Sequence, residues 1–524
     1  MERLIRAGIR AAPRTRILLT AAEAYPALER AFLDARHEIW ASFRVFDPAT
    51  KLHSARAKAI GTTWFDLVQH VLARGVRLNL VIADFDPCAR PDLHRGTWRS
   101  LRMLHAAAEL AGPGARLTLR AALHPARTGI LPRLLFWPVV ARKLLHEAAS
   151  LNDLDPARRR AALRDMPGLA RLMRHGVQGK CTPNLLGFPQ LWPATHHQKL
   201  AVFDRRQLYI GGLDLDDRRF DTPEHRREGS DTWHDVQLMM EGPVVAEAQA
   251  HLESFADVVA GKADPPPQRR LLRTLARKRR FNLFRFGPHP VAQEILSGHE
   301  MLIRRSRKLI YLETQYFRDT GLARALARAA RANPDLGLIL ILPAAPDDVA
   351  FEGADSLDAR YGEFLQARAL RIIGSAFGPR LFVGGAAQPR HAAPLPDGNG
   401  RDRMNGAPLV YIHAKVSVFD DTAAIVSSAN LNGRSLHWDT EAGVFLHRRE
   451  DAAALRERTM RHWLPRDAGP GFLSLDEGVA HWRALALSNA RKPPDARKGF
   501  ILPYDLRAAE EFGQAVPIVP EAMV

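Results

Sequence analysis

The 524-residue chain has only two cysteines, Cys88 and Cys181. That excludes a disulfide framework, and no Cys-x-x-Cys metal pattern exists. Nor is there a run of about eighteen uncharged apolar residues, so no spanning helix is expected. The basic N-terminal stretch MERLIRAGIRAAPRTRILLT lacks the continuous apolar core of a signal peptide. These absences point to a cytoplasmic or peripheral membrane protein, with signal-peptide-independent secretion left open. No grouping of residues along the sequence demands a metal or cofactor.

What is present in excess is positive charge. Net charge is +18, with 46% hydrophobic residues. An ordinary apolar fraction supports large cores, and the basic balance favours polyanionic partners: anionic membrane, nucleic acid or phosphorylated substrates. The heavy Ala and Arg usage suggests a bacterial source.

One pattern, His-x-Lys-x-x-x-x-Asp, occurs twice: His197, Lys199 and Asp204 in THHQKLAVFD, and His413, Lys415 and Asp420 in YIHAKVSVFD. Each copy leads through a turn and a second β-prone run to a small-residue turn, GGLD with Gly211, Gly212 and Asp214, then SSAN with Ser427, Ser428 and Asn430. Residues two apart in a strand share a face, so His and Lys point together. The copies meet only if two similar half-domains pack face to face. Two imidazoles and two ammonium groups would then make a compact site for a phosphodiester.

The rest of the chain repeats with the motif. Segments 27–46, 64–86 and 97–110 read as helix-into-strand, helix-then-strand and helix; 292–308, 309–317, 320–332, 336–343 and 356–372 read as helix, strand, helix, strand and helix. Alternation of this kind predicts an α/β layered domain in each half. The expected organisation is a first half over 1–262 with an insertion at about 120–185, a basic linker over 263–285, a second half over 286–460 and a C-terminal extension over 461–524. QRRLLRTLARKRRFNLFRF, at 268–286, reads as a charged linker or a surface helix; 377–408 reads as a mobile loop. ILPRLLFWPVVARKLL, at 130–145, is either a core helix or an interfacial lid, with Pro132 and Pro138 favouring an irregular lid.

The duplicated motif resembles the phospholipase D superfamily. GGLDLDDRRFDTPEH, TWHDVQLMMEGPV, LIYLETQYF and SSANLNGRSLHWDTEAGV are most similar to its eukaryotic-type members. The resemblance implies two α/β/α sandwich halves with pseudo-twofold symmetry. It implies a phosphohistidine on His197, proton transfer by His413, and phosphate contacts from Lys199, Lys415 and Asn430. It further implies that Glu441 pairs with His197 and Asp235 with His413, each across the halves. Asp204 and Asp420 are expected to be structural, and His196 to pack in the core. Glu313 and Gln315 are candidates to line the mouth of the site. Asp214 stands where the second half has Asn430, as in eukaryotic-type members, so it is expected turned away or bonded to a lysine. Ser427 stands where glycine is usual, at a cost if positive φ is needed.

The implied activity is hydrolysis of a glycerophospholipid to phosphatidic acid and a free alcohol, with transphosphatidylation through the same intermediate. Cardiolipin synthase-type transfer is the alternative, disfavoured by the GGLDL, DTPEH and WHD segments; a superfamily nuclease and a non-catalytic membrane-binding protein follow. The expected partner is phospholipid at an anionic membrane surface, rather than nucleic acid, with a monomer favoured.

Overall fold

The computed structural model describes residues 15–176, 179–392 and 400–524. Two mixed sheets carry the fold. The first runs, by strand, Thr15–Leu19, Val236–Glu241, Gln207–Gly211, Leu200–Phe203, Glu38–Phe43, Arg77–Ala83, Arg116–Ala122. The second repeats that order as Leu271–Arg277, Glu441–Leu446, Ala423–Ser427, Lys415–Phe419, Leu309–Thr314, Gly337–Ile341, Leu381–Ala386, extended at its edges by His289–Gln293 and Ile501–Pro503. The three strands on one side of each sheet pair parallel through helical crossovers, and the motif strands join them antiparallel.

Local chemistry sets the helices. Helix Trp64–Ala73 begins with a Thr63–Asp66 capping box. Helix Thr320–Ala332 is capped by Asp319, whose carboxylate accepts from Leu322 N–H at 2.7 Å, and buries Leu322, Leu326 and Ala330 on one face. The apolar side chains then sort into layers. One shared core joins the facing sides of both sheets around helices Pro243–Val259 and Arg449–Trp463. Separate cores back each sheet under its outer helices. The result is the α/β, two-half sandwich expected from the repeat.

Four local expectations change. Leu271–Arg277, inside the expected linker, is a strand between Glu441–Leu446 and His289–Gln293, so that basic segment is part of the second sheet. Its alternating Leu271, Arg273 and Leu275 are buried, with Arg273 held by Glu294 at 2.6 Å. Within 377–408, residues 393–399 lie outside the described residues, as do 1–14 of the N-terminal stretch; 381–386 is a buried strand rather than a loop. Segment 130–145 is no irregular lid: Ile130–Asn152 is a continuous helix. Pro132 sits in its first turn, where no intrahelical N–H is needed. Pro138 removes one bond, a cost offset by the core that Val140, Leu144, Ala148 and Leu151 form with the rest of the insertion. Glu313 is addressed below. Among the described residues, no helix is long and apolar enough to cross a membrane.

A composite candidate active site at the seam

The two motifs meet by reciprocal backbone pairing. His197 N–H donates to Thr440 C=O at 2.9 Å, and Thr440 N–H returns to Thr195 C=O at 2.9 Å. In the other half His413 N–H donates to His234 C=O at 2.8 Å, and His234 N–H returns to Tyr411 C=O at 2.8 Å. Each motif histidine is therefore stitched to the residue just before an acid of the opposite half: Thr440 before Glu441, His234 before Asp235.

Those acids reach the imidazoles. Glu441 lies 3.0 Å from His197 Nδ1, and Asp235 Oδ2 lies 2.6 Å from His413 Nδ1, across 178 residues of chain. A carboxylate that accepts a hydrogen bond from Nδ1–H holds the proton on that nitrogen, which leaves the Nε2 lone pair of each ring for chemistry. Glu441 is in turn held by the Ser428 hydroxyl. Where the second half has Ser428, the first has Gly212, and a Cβ there would stand 2.4 Å from Asp235 Oδ1; the shorter acid packs directly on the glycine. Gly211 and Ser427 face Gln237 and Gly443 respectively, so small and larger partners are exchanged between the halves. Neither Gly211 nor Ser427 has positive φ, so serine carries no backbone strain there.

Burial dominates the electrostatics. It pushes His197 and His413 well below the ordinary imidazole range, reinforced by Lys199 and Arg44 for the first and by Lys415 and Arg219 for the second. Burial, with the charge of Lys199, also brings Lys415 down to about 7. Asp235 is raised by burial to about 6, against the pull of Lys415. Lys199 Nζ donates back to His197 C=O at 2.6 Å, and Lys415 Nζ to His413 C=O.

Asp214 is not turned away. Its carboxylate accepts from Val45 N–H at 3.0 Å and lies 3.7 Å from Arg44 and 3.9 Å from Lys199. Burial pushes it up, but Lys199, Arg44 and Arg219 outweigh that and hold it below the usual carboxylate range. Asn430, its counterpart, donates to Gln315 Oε1 at 3.1 Å while its own Oδ1 has no partner. Asp204 and Asp420 lie away from the centre. Each sits at positive φ in its turn and accepts three backbone N–H bonds, from Arg36, His37 and Glu38 and from Arg307, Lys308 and Leu309, at 2.8–2.9 Å. They fix the entry of the neighbouring central strand. His196 is buried against Thr440 Oγ1, His124 and Phe255.

Glu313 does not line the mouth. It is fully buried and binds His234 at 3.1 Å, Trp463 Nε1 at 2.9 Å and the Tyr311 hydroxyl. Strand alternation put it on one face with Gln315, but only Gln315, at the strand end, reaches Asn430. Sequence reading missed Arg44, Arg219 and Arg434. Arg44 was detectable by superposing FRVF on TQYF, which places it opposite Gln315. Arg219 lies over the Trp233 ring at 3.6 Å with one buried nitrogen unpartnered, and Arg434 pairs with Asp439 at 3.0 Å.

These features define a duplicated α/β protein with one composite His/Lys centre at its seam, suited to gripping a single anionic phosphorus group. A family model described as "Cardiolipin synthase, PLD-like domain" matches residues 387–463. A cardiolipin synthase of Listeria innocua is 24% identical over 50% of this chain and 46% of its own length. Phospholipase D alpha 1 of Nicotiana tabacum is 24% identical over 46% of this chain and 44% of its own. The chain thus spans about half the length of the curated relatives it matches. Phosphatidylserine synthase of Haemophilus influenzae overlays with a TM-score of 0.47 and 13% identity, over 86% of this chain and 85% of that one, too loosely to support a functional inference. These matches support the resemblance to the phospholipase D superfamily that the duplicated motif carries. The two enzyme types match at the same identity, so the comparisons do not favour the eukaryotic-type members over cardiolipin synthases.

Proposed function

We propose that the chain is a phospholipid phosphodiesterase that transfers a phosphatidyl group through a phosphohistidine. The observation that carries this reading is the reciprocal pair of Nδ1–carboxylate bonds, His197 with Glu441 and His413 with Asp235, which turns both Nε2 atoms to chemistry.

His197 Nε2 attacks phosphorus, the P–O bond to the headgroup breaks, and His413 gives its proton to the departing oxygen. Burial keeps both rings neutral in the empty site, so His413 acquires its proton with the anionic substrate present. Lys199, Lys415 and Asn430 hold the non-bridging oxygens, and Arg44 and Arg219 add positive potential. Each such contact is worth about 3 kcal/mol in the transition state. His413 then takes a proton from the acceptor as its oxygen attacks phosphorus and the P–N bond breaks. Water as acceptor gives phosphatidic acid; a lipid alcohol gives transfer. The second outcome has its own support in the cardiolipin synthase relatives.

The substrate is met at an anionic membrane. Helix Ile130–Asn152 exposes Ile130, Leu131, Leu134, Leu135 and Val139, and hydrogen bonds from Leu131 N–H to Leu283 C=O and from Gly129 N–H to Arg285 C=O join to it the loop that exposes Phe281 and Phe284. Exposed Arg142, Lys143, Arg280 and Arg285 belong to the same two segments, and exposed Arg127 shortly precedes the helix. An apolar ridge among cations suits insertion between acidic headgroups. Arg133 ties this helix to Phe188 C=O at 2.6 Å, on the segment that leads into His197.

The deciding experiment incubates the protein with labelled phosphatidylcholine, phosphatidylglycerol and plasmid DNA. Free headgroup with phosphatidic acid supports hydrolysis, cardiolipin with glycerol supports transfer, and nicked DNA with intact lipid overturns the reading. His197→Ala should abolish capture of labelled phosphatidyl on the protein.

A further inference from the structure

Behind the catalytic seam, three histidines from separate segments converge: His225 and His234, fully buried, and His462, partly buried. One ring nitrogen of each lies within 4.8 Å of the other two, and among the described residues this is the one group of three His, Cys, Asp or Glu whose donor atoms converge so. No linear motif announces it, since His225 and His462 stand 237 residues apart.

The hydrogen bonds around the trio set its tautomers. Asp221 Oδ2 accepts from His225 Nδ1–H at 2.6 Å, which leaves a lone pair on His225 Nε2. Glu313 Oε2 accepts from His234 Nε2–H at 3.1 Å, which leaves a lone pair on His234 Nδ1; this buried nitrogen has no partner. His225 Nε2 faces His462 Nε2 at 2.9 Å. A proton on His462 would satisfy that pair alone and leave His234 Nδ1 bare, at a cost of about 1–3 kcal/mol for an unmet buried group. One divalent cation satisfies all three. A carboxylate on the far nitrogen of a ligating histidine is the usual companion of a zinc-bound imidazole, and two of the three rings have one.

We propose that His225, His234 and His462 bind one borderline-soft divalent metal ion of the zinc class, which pins the 221–235 segment to helix Arg449–Trp463. Ligand nitrogens about 2.0–2.1 Å from a tetrahedral ion stand roughly 3.3 Å apart, so the His225–His462 nitrogen pair, at 2.9 Å, opens by a few tenths of an ångström to accept it. The ion is not at the reacting phosphorus. Its link to chemistry is positional: His234 directly precedes Asp235, and its carbonyl accepts the backbone N–H of His413.

The test is read in bound metal and so stands or falls apart from the proposed activity. The full-length protein, stripped with a chelator, is titrated with Co(II) and Zn(II). The expected result is one equivalent bound, with intense visible Co(II) absorption of tetrahedral nitrogen ligation that Zn(II) bleaches, and a rise in Tm on Zn(II) addition. His462→Gln, at the least buried ligand, should lower Zn(II) affinity at least 100-fold while remaining folded by circular dichroism. If stripped wild type takes up no Co(II), or if wild type and His462→Gln bind Zn(II) equally, the site does not exist. Should the variant not fold, the wild-type Co(II) titration alone decides.

Discussion

Arg44 and Asp214 face each other at 3.7 Å where the pseudo-twofold places Gln315 and Asn430, hydrogen-bonded at 3.1 Å. One half uses a buried ion pair, the other a neutral amide pair, and both sum to zero charge. Arg44→Gln alone leaves the Asp214 carboxylate beside the phosphate site. It should cost more in kcat/KM than the double variant Arg44→Gln with Asp214→Asn, which rebuilds the second half's solution. A double-mutant cycle should give a coupling of about 1–3 kcal/mol; additive effects would refute the exchange.

The cross-half acids orient the imidazoles. Asp235→Asn and Glu441→Gln should each lower kcat by about 100- to 10,000-fold while the fold persists by circular dichroism. A loss under threefold in either would detach that acid from its histidine's function.

Lys415 stands at about 7, so the empty site loses a cation as pH rises through neutrality. Anion binding favours the charged lysine and must take up a proton above that value. Sulfate, whose charge is constant here, should bind progressively more weakly from pH 6.5 to 9, by up to about tenfold per unit. Isothermal titration should show the accompanying proton uptake, and a flat profile would place the lysine elsewhere on the pH scale.

Asp204 and Asp420 serve architecture. Asp204→Ala and Asp420→Ala each strand three backbone N–H groups and should each destabilise by about 1–3 kcal/mol. They lie in different halves, so denaturant midpoints should shift nearly additively.

The apolar ridge predicts a separable membrane step. Leu134→Glu with Leu135→Glu should weaken sedimentation with anionic vesicles at least tenfold, yet leave turnover of a monomeric short-chain phospholipid unchanged. Equal loss on both substrates would mean the ridge does not dock.

Where periodicity was local, the sequence was readable: the helices and strands around Trp64–Ala83 and Leu309–Ile341 appear where their apolar spacing and caps place them. Local spacing failed at Leu271–Arg277, whose arginines resemble a linker until Glu294 neutralises Arg273 and two neighbouring strands take up its backbone. It failed again at Pro138, where packing outweighed a broken helical bond. Glu313 was misplaced because alternation tells which face a side chain takes but not what covers that face.

The sequence by itself determined the duplicated His/Lys/Asp chemistry and the α/β repeat, because strand and helix periods are set by neighbours in the chain. Only the tertiary structure decided that Arg44 answers Asp214, and that His225, His234 and His462 share one pocket. Those meetings depend on how two sheets close over a common core, and burial there sets charges and tautomers that no stretch of sequence specifies alone.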